Sequence, residues 1–114
     1  MLKQETRRWV AIAKVGDVAP SDVRRCEVKD RCIALFNLQG QLYATDDICT
    51  HAHAHLSDGY VDGDTVECPL HQGLFHIPTG KALAPPVTEN LATYPVRIEG
   101  EDVLVGLAGS DDAD

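Results

Sequence analysis

Four side chains in the middle of this 114-residue sequence have the types and spacing of ligands to one inorganic centre. Cys49-Thr50-His51 and Cys68-Pro69-Leu70-His71 each pair a thiol with an imidazole, and 16 residues lie between His51 and Cys68. Each pair is short enough for one loop to turn both side chains inward. Two such loops, at the tips of neighbouring hairpins, would present two sulfurs and two nitrogens to the same point. Thiolate and imidazole are ligands of zinc and of iron–sulfur centres rather than of hard cations. A structural Cys2His2 zinc site is the competing reading. Zinc fingers, however, usually place their cysteines in one arm and their histidines in the other, and here each arm is mixed.

The segments that must position these residues read as strands. Trp9 to Ala13 is a short apolar run. Val23 to Val28 and Arg31 to Leu38 are two strands joined around Lys29-Asp30. Gln39-Gly40 then turns into Gln41 to Thr45. Near the end, Thr93 to Glu99 and Asp102 to Leu107 flank a Gly100-Glu101 turn. No window sustains a helical period, and turn residues recur every eight to twelve positions or so, the pattern of an all-β sandwich or barrel. Between the strand blocks, residues 46 to 86 hold all five histidines, two of the four cysteines and four of the six prolines. That composition suggests a site carried on loops above an antiparallel β base.

Composition removes several function classes. Hydrophobic residues are 44% and charged residues 25%, an ordinary globular balance. The formal charge of −8 disfavours nucleic acid and anionic membranes as partners and favours a basic protein. No apolar h-region of a signal peptide follows the charged N-terminus, and none of the apolar runs is long enough to span a bilayer. A cytoplasmic, reducing location is therefore expected, where cysteines more often bind metal than form disulfides. No Gly-x-Gly-x-x-Gly fingerprint for a nicotinamide or flavin nucleotide occurs.

Cys49-x-His51 and Cys68-x2-His71 together resemble the motif of Rieske [2Fe–2S] proteins, in which two histidines replace two cysteines on one iron. The likeness extends to Tyr43-Ala44-Thr45-Asp46 and Leu56-Ser57-Asp58-Gly59 around the first box. Around the second it takes in Gln72-Gly73-x-Phe75 and Thr79-Gly80-Lys81-Ala82 with Pro85 beyond. It runs from about Trp9 to Leu107. The resemblance implies one Rieske domain over residues 1–114, with an antiparallel β-sandwich base and a small cluster-binding subdomain at about 46–86. It implies one [2Fe–2S] cluster, with Cys49 and Cys68 on the inner ferric ion and His51 and His71 on the outer, reducible iron. The imidazoles would bind through Nδ1 and direct Nε2 toward solvent or a partner, and the segment with Pro85 and Pro86 would cover the cluster from a third side. Two thiolates in place of four leave the oxidised cluster neutral, so an electron is accepted more readily than by an all-cysteine dianion.

Departures from the respiratory branch narrow the reading. That branch carries an additional cysteine in each box, forming a disulfide, where this chain has Ala54 and Leu70. It also places a serine and a tyrosine, whose hydroxyls stabilise the reduced cluster, where this chain has Gly73 and Phe75. A potential at the low end of the Rieske range of about −150 to +300 mV follows. The chain thus resembles the ferredoxin component of multicomponent aromatic-ring-hydroxylating dioxygenases, particularly of the naphthalene-dioxygenase type. That implies a monomeric one-electron carrier between an NAD(P)H-dependent flavoprotein ferredoxin reductase and a terminal oxygenase, with no catalysis of its own. A Rieske ferredoxin serving another oxygenase, such as a diiron monooxygenase, and a non-redox Rieske-fold subunit are the alternatives. The four intact ligand positions argue against the second.

The remaining residues receive plainer readings. His53 and His55 are expected to be partly exposed loop residues, or, on a sharper reading, to lend pH dependence to a docking face. His76 has no functional reading. Cys26 and Cys32 are expected on opposite sheet faces as buried thiols without a disulfide, and Trp9 as a packing residue. Asp58, Asp62, Asp64 and Glu67 are expected in a solvated loop, available to a basic partner. The acidic tail from Gly109 has no assigned role.

Overall fold

A computed structural model describes residues 7–28, 31–50, 54–70, 73–84 and 89–108. The described segments form eleven strands: β1 (Arg7–Lys14), β2 (Asp22–Val28), β3 (Arg31–Leu38), β4 (Gln41–Asp46), β5 (Tyr60–Asp62), β6 (Thr65–Glu67), β7 (Leu74–His76), β8 (Ala82–Ala84), β9 (Thr93–Tyr94), β10 (Val96–Glu99) and β11 (Asp102–Ala108). They make three sheets, ordered β1-β11-β10, β2-β3-β4-β9 and β5-β6-β7-β8, and every pairing is antiparallel. Helical structure among the described residues is limited to 3-10 turns at Val15–Asp17 and Leu56–Asp58. The all-β expectation holds. No helix among the described residues is long and apolar enough to cross a membrane.

Local chemistry explains the hairpin registers. Leu38 pairs with Gln41, so Gln39 and Gly40 form a two-residue turn, with φ of 57° and 94°. This is the primed geometry that matches the strand twist. Asn37, itself buried, closes the turn: its Oδ1 accepts the Gly40 N–H at 2.7 Å and its Nδ2 donates to the Val18 carbonyl at 2.8 Å. The Arg31–Leu38 strand occupies the centre. Its continuous apolar run Ile33-Ala34-Leu35-Phe36 is fully buried, as expected of a strand covered on both faces. Ile33 and Leu35 pack into a base core with Val28, Leu42, Val103 and Val105. Ala34 and Phe36 pack on the other side, with Val66 and Phe75 of the small sheet, with Leu56 and Ile77, and with both Cys49 and Cys68. One strand therefore serves as the shared wall of two cores.

The sequence reading of Thr93–Glu99 as one strand is corrected at Pro95. Thr93–Tyr94 pair with β4, whereas Val96–Glu99 pair with β11 in a different sheet. Proline has no N–H for a ladder, and the chain changes sheets where that donor is missing. The middle of the chain is also more regular than its composition suggests. Asp62 and Glu67 stand on strands rather than in a loop, and Asp58 and Asp64 flank them, Asp58 ion-paired with Arg25 and Asp64 hydrogen-bonded to His76. Each strand there is only three residues long, too short for a period of two to show in the sequence.

Candidate metal centre

Two loops project from the small sheet and the end of β4, and each is closed by its own backbone. In the first, the Cys49 N–H donates to the Ala54 carbonyl at 2.9 Å, Ile48 bridges to His55, and the Leu56 N–H donates to the Asp47 carbonyl at 2.7 Å. In the second, between β6 and β7, the Cys68 N–H donates to the Gly73 carbonyl at 2.7 Å. Gly59 lets the loops approach, because a Cβ there would lie 2.2 Å from the Glu67 carbonyl oxygen. A third segment, residues 89–91, is tied to the first loop and to the turn and strand that follow β7. The Thr50 hydroxyl donates to the Glu89 carbonyl at 2.9 Å, the Ala82 N–H donates to Asn90 Oδ1 at 2.9 Å, and the Leu91 N–H donates to the Gly80 carbonyl at 2.7 Å.

The result is that Cys49 and Cys68 meet. Both are buried, at 4% and 0% exposure, and their side chains are hydrogen-bonded to one another without forming a disulfide. Burial pushes the Cys68 thiol up from its ordinary 9.0 to about 11, and the neighbouring Cys49 pushes the same way. The Leu70 backbone N–H opposes the shift by donating to the Cys68 sulfur. Two thiols in an apolar pocket, drawn together and left reduced, with an amide aimed at one sulfur, suit a centre that deprotonates its ligands and bridges them. The donor set fits a soft metal or iron–sulfur centre and does not fit a hard cation.

His51 and His71 lie outside the described residues, as do His53, Pro85 and Pro86. Their parent loops are described up to Thr50 and Leu70, so each histidine follows directly from a placed turn. Ala54 is buried and Leu70 exposed, and neither can bridge the loops covalently. Phe75 is fully buried in the core that holds both cysteines and brings no hydroxyl there.

Several polar partnerships around the site have no counterpart in the sequence reading. Asp47 is fully buried, and its carboxylate accepts from Ser57 and His55 beside Arg25. His55 is half-buried and engaged with Asp47 rather than an idle loop residue. His76 is held on both ring nitrogens, by Asp64 at 3.0 Å and Thr79 at 2.8 Å, which pins the turn between β7 and β8. Of the two cysteines outside the boxes, Cys26 is buried as expected but Cys32 is partly exposed. Glu27 pairs with Cys32 and Cys26 with Ile33, so the thiols fall on opposite faces and form no disulfide. Trp9 is half-buried beneath the Arg97 guanidinium, 4.6 Å from its ring centroid.

Comparison with known proteins gives the same picture. Residues 8–95 match the Rieske [2Fe-2S] domain. The chain is similar to the ferredoxin component of the naphthalene 1,2-dioxygenase system of Pseudomonas putida, 46% identical over 103 residues that cover 90% of this chain and 99% of that protein. It is similar in structure to a Sphingomonas yanoikuyae B1 ferredoxin, with a TM-score of 0.84 and 36% identity, covering 88% of this chain and 99% of that one. It is similar also to a chain in the complex of reduced oxygenase and oxidised ferredoxin of carbazole 1,9a-dioxygenase. There the TM-score is 0.80 and the identity 37%, covering 85% of this chain and 91% of the other.

Proposed function

Because the chain belongs to the Rieske [2Fe-2S] domain family, we propose that it is a one-electron carrier, the ferredoxin component of an aromatic-ring-hydroxylating dioxygenase system. Electrons would arrive from a flavoprotein reductase and leave to a terminal oxygenase. The observation that carries this reading is the meeting of the buried, reduced Cys49 and Cys68 side chains at the ends of two separate loops. Cys49, His51, Cys68 and His71 hold the cluster. When bound, a [2Fe–2S] cluster supplies a one-electron couple.

The chain's own residues do the rest. The core of Phe36, Val66, Phe75 and Ile77 keeps water from the two sulfurs. The Leu70 amide stabilises negative charge on Cys68. Thr50, Asn90 and Gly80 hold residues 89–91 against the first loop and the turn after β7. Ile48, next to Cys49, and Leu70, two residues after Cys68, are exposed apolar side chains beside the site, and a net charge of −8 suits long-range attraction to basic partner faces. This reading makes the protein a soluble cytoplasmic monomer, one Rieske module with residues 46–86 as its cluster-binding part, and gives it no affinity for membranes or nucleic acid. A Rieske ferredoxin of the wider dioxygenase group fits better than a non-redox subunit, because both cysteines are retained and brought together.

Purified protein tests the reading. It is expected to be red-brown, with iron and acid-labile sulfide in equal amounts and a Rieske electron paramagnetic resonance signal on reduction. With a flavoprotein reductase and a ring-hydroxylating oxygenase it should support turnover at the expense of NADH or NADPH. Colourless protein with stoichiometric zinc would overturn the reading.

A further inference from the structure

The Asp47 carboxylate is held by Ser57, His55 and Arg25. The side chain is 0% exposed, and both carboxylate oxygens are engaged. Oδ1 accepts the Ser57 backbone N–H at 2.7 Å. Oδ2 accepts the Ser57 hydroxyl at 3.0 Å, lies 2.7 Å from His55 Nδ1, and forms an ion pair with Arg25 Nε at 3.3 Å. An ionised carboxylate only accepts, so His55 donates from Nδ1. Its backbone is fixed as well, donating to the Cys32 carbonyl at 3.0 Å and accepting from Leu56 at 2.7 Å. Arg25 closes the arrangement from strand β2, donating from Nε to Ser57 Oγ at 3.0 Å and from Nη2 to Asp58 at 2.9 Å.

These contacts sit at one place in the chain. Asp47 is two residues ahead of Cys49, and the loop that carries Cys49 and His51 both leaves and rejoins the fold on Asp47, through its own backbone, Leu56 and Ser57. The ligand atoms of Cys32, Asp47 and His55 lie within 4.8 Å of one another, a spacing that could hold a cation. The Arg25 guanidinium occupies that side of the carboxylate and makes a second positive charge unwelcome. The cluster of groups therefore reads as a lock.

We propose that Asp47 is a positioning residue for the first ligand loop, locked by Arg25, and that this ion pair, with its carboxylate buried and its guanidinium exposed, contributes to the reduction potential of the protein. The inference rests on the iron–sulfur reading above. The buried carboxylate is poorly screened, so losing it should ease reduction; the guanidinium is 37% exposed and partly screened by solvent, so losing it should hinder reduction by a smaller amount. The lock also predicts a mechanical effect. Replacing Asp47 by asparagine keeps an acceptor for the Ser57 amide but turns a donor toward His55, Arg25 and the Ser57 hydroxyl.

The test uses Asp47→Asn, Arg25→Gln and Arg25→Lys in the cluster-loaded protein. Midpoint potentials, resonance g-values and amide exchange at Leu56 and Ser57 are measured on each. Asp47→Asn is expected to raise the potential and Arg25→Gln to lower it. Arg25→Lys should restore the potential while leaving Ser57 exchange about tenfold faster than in the parent. A purely structural role would reduce cluster content or stability while the loaded fraction kept the parent potential and g-values. That result, or shifts of the same sign in Asp47→Asn and Arg25→Gln, overturns the proposal. If Asp47→Asn loads no cluster, the two Arg25 variants decide alone, and equal potentials for Arg25→Gln and the parent overturn it. The iron and sulfide content of the unsubstituted protein tests the underlying reading separately.

Discussion

The Tyr94 hydroxyl donates a hydrogen bond to the Asp46 carboxylate, tying the two-residue strand β9 to the point where β4 gives way to the first ligand loop. Arg31 completes the contact, donating from Nη1 to the phenol oxygen at 3.1 Å with its guanidinium 5.9 Å from the ring centroid. Asp46 and Asp47 are adjacent but reach in different directions, one to β9 and the other to β2 and Ser57. The chain thus enters the loop clamped from both sides.

Alkaline pH should weaken that clamp. Burial first, and then the bond to Asp46, push the Tyr94 phenol above its usual 10.0. The unfolded chain therefore loses this proton before the native protein does. The stabilisation is complete below about pH 10 and is lost as pH rises through the higher native value. Tyr94→Phe should cost about 1–2 kcal/mol at neutral pH and give a flatter decline above about pH 10. Denaturant unfolding of both proteins across that range measures it, and identical slopes would count against the role given to Tyr94.

Gly80 is a second sensitive point. Its φ is +75°, and a Cβ would fall 2.4 Å from the Leu91 carbonyl oxygen. Gly80→Ala should destabilise the protein by about 2–3 kcal/mol, lowering the melting temperature by about 10 °C or more. Gly16→Ala is the control, since nothing lies within 4 Å of its Cβ position and its φ is not positive. Calorimetry should find the control within about 1 kcal/mol of the parent.

Asn37→Ala tests the central hairpin. It strands the Val18 carbonyl in a buried setting and takes away the acceptor of the Gly40 amide in the exposed turn, at a cost of about 1–2 kcal/mol. Because Asn37 belongs to the wall between the two cores and is not near the sulfurs, cluster content and potential should stay at parent values in the folded fraction. Visible absorbance during thermal unfolding separates the two effects.

Leu70→Asp addresses docking. Leu70 is 45% exposed, and its contribution to Cys68 is made by its backbone, which the substitution preserves. Electron transfer to an oxygenase should slow by about tenfold through loss of apolar contact, with the absorbance spectrum unchanged. Stopped-flow oxidation by the oxygenase component supplies the rate, and an unaltered rate would remove Leu70 from the docking rim.

The parts of the fold that were legible in the sequence are those governed by local chemistry. The β2–β3 and β3–β4 registers follow from two-residue connections, and the buried Ile33–Phe36 run marks a strand covered on both faces. The ligand boxes were legible because each compresses a thiol and an imidazole into one turn. Strands of three residues left no period to read, and the break at Pro95 was passed over because apolar residues continue beyond it. The Asp47 lock was invisible for a different reason. Arg25 is 22 residues away on a strand that is not hydrogen-bonded to β4, and no spacing rule connects an aspartate to such a partner.

The absence of cysteine at Ala54 and Leu70 has a thermodynamic side. With no second sulfur–sulfur bridge possible at Ala54 and Leu70, an inorganic centre held by Cys49 and Cys68 would be the covalent link between the two loops. Such a link closes a loop of about 20 residues and, by the entropy of an ordinary cross-link, would stabilise the native chain by about 3 kcal/mol. Retaining iron and keeping this half of the molecule folded would then be a single equilibrium, and the working lifetime of the protein would be set by how slowly its staple is lost.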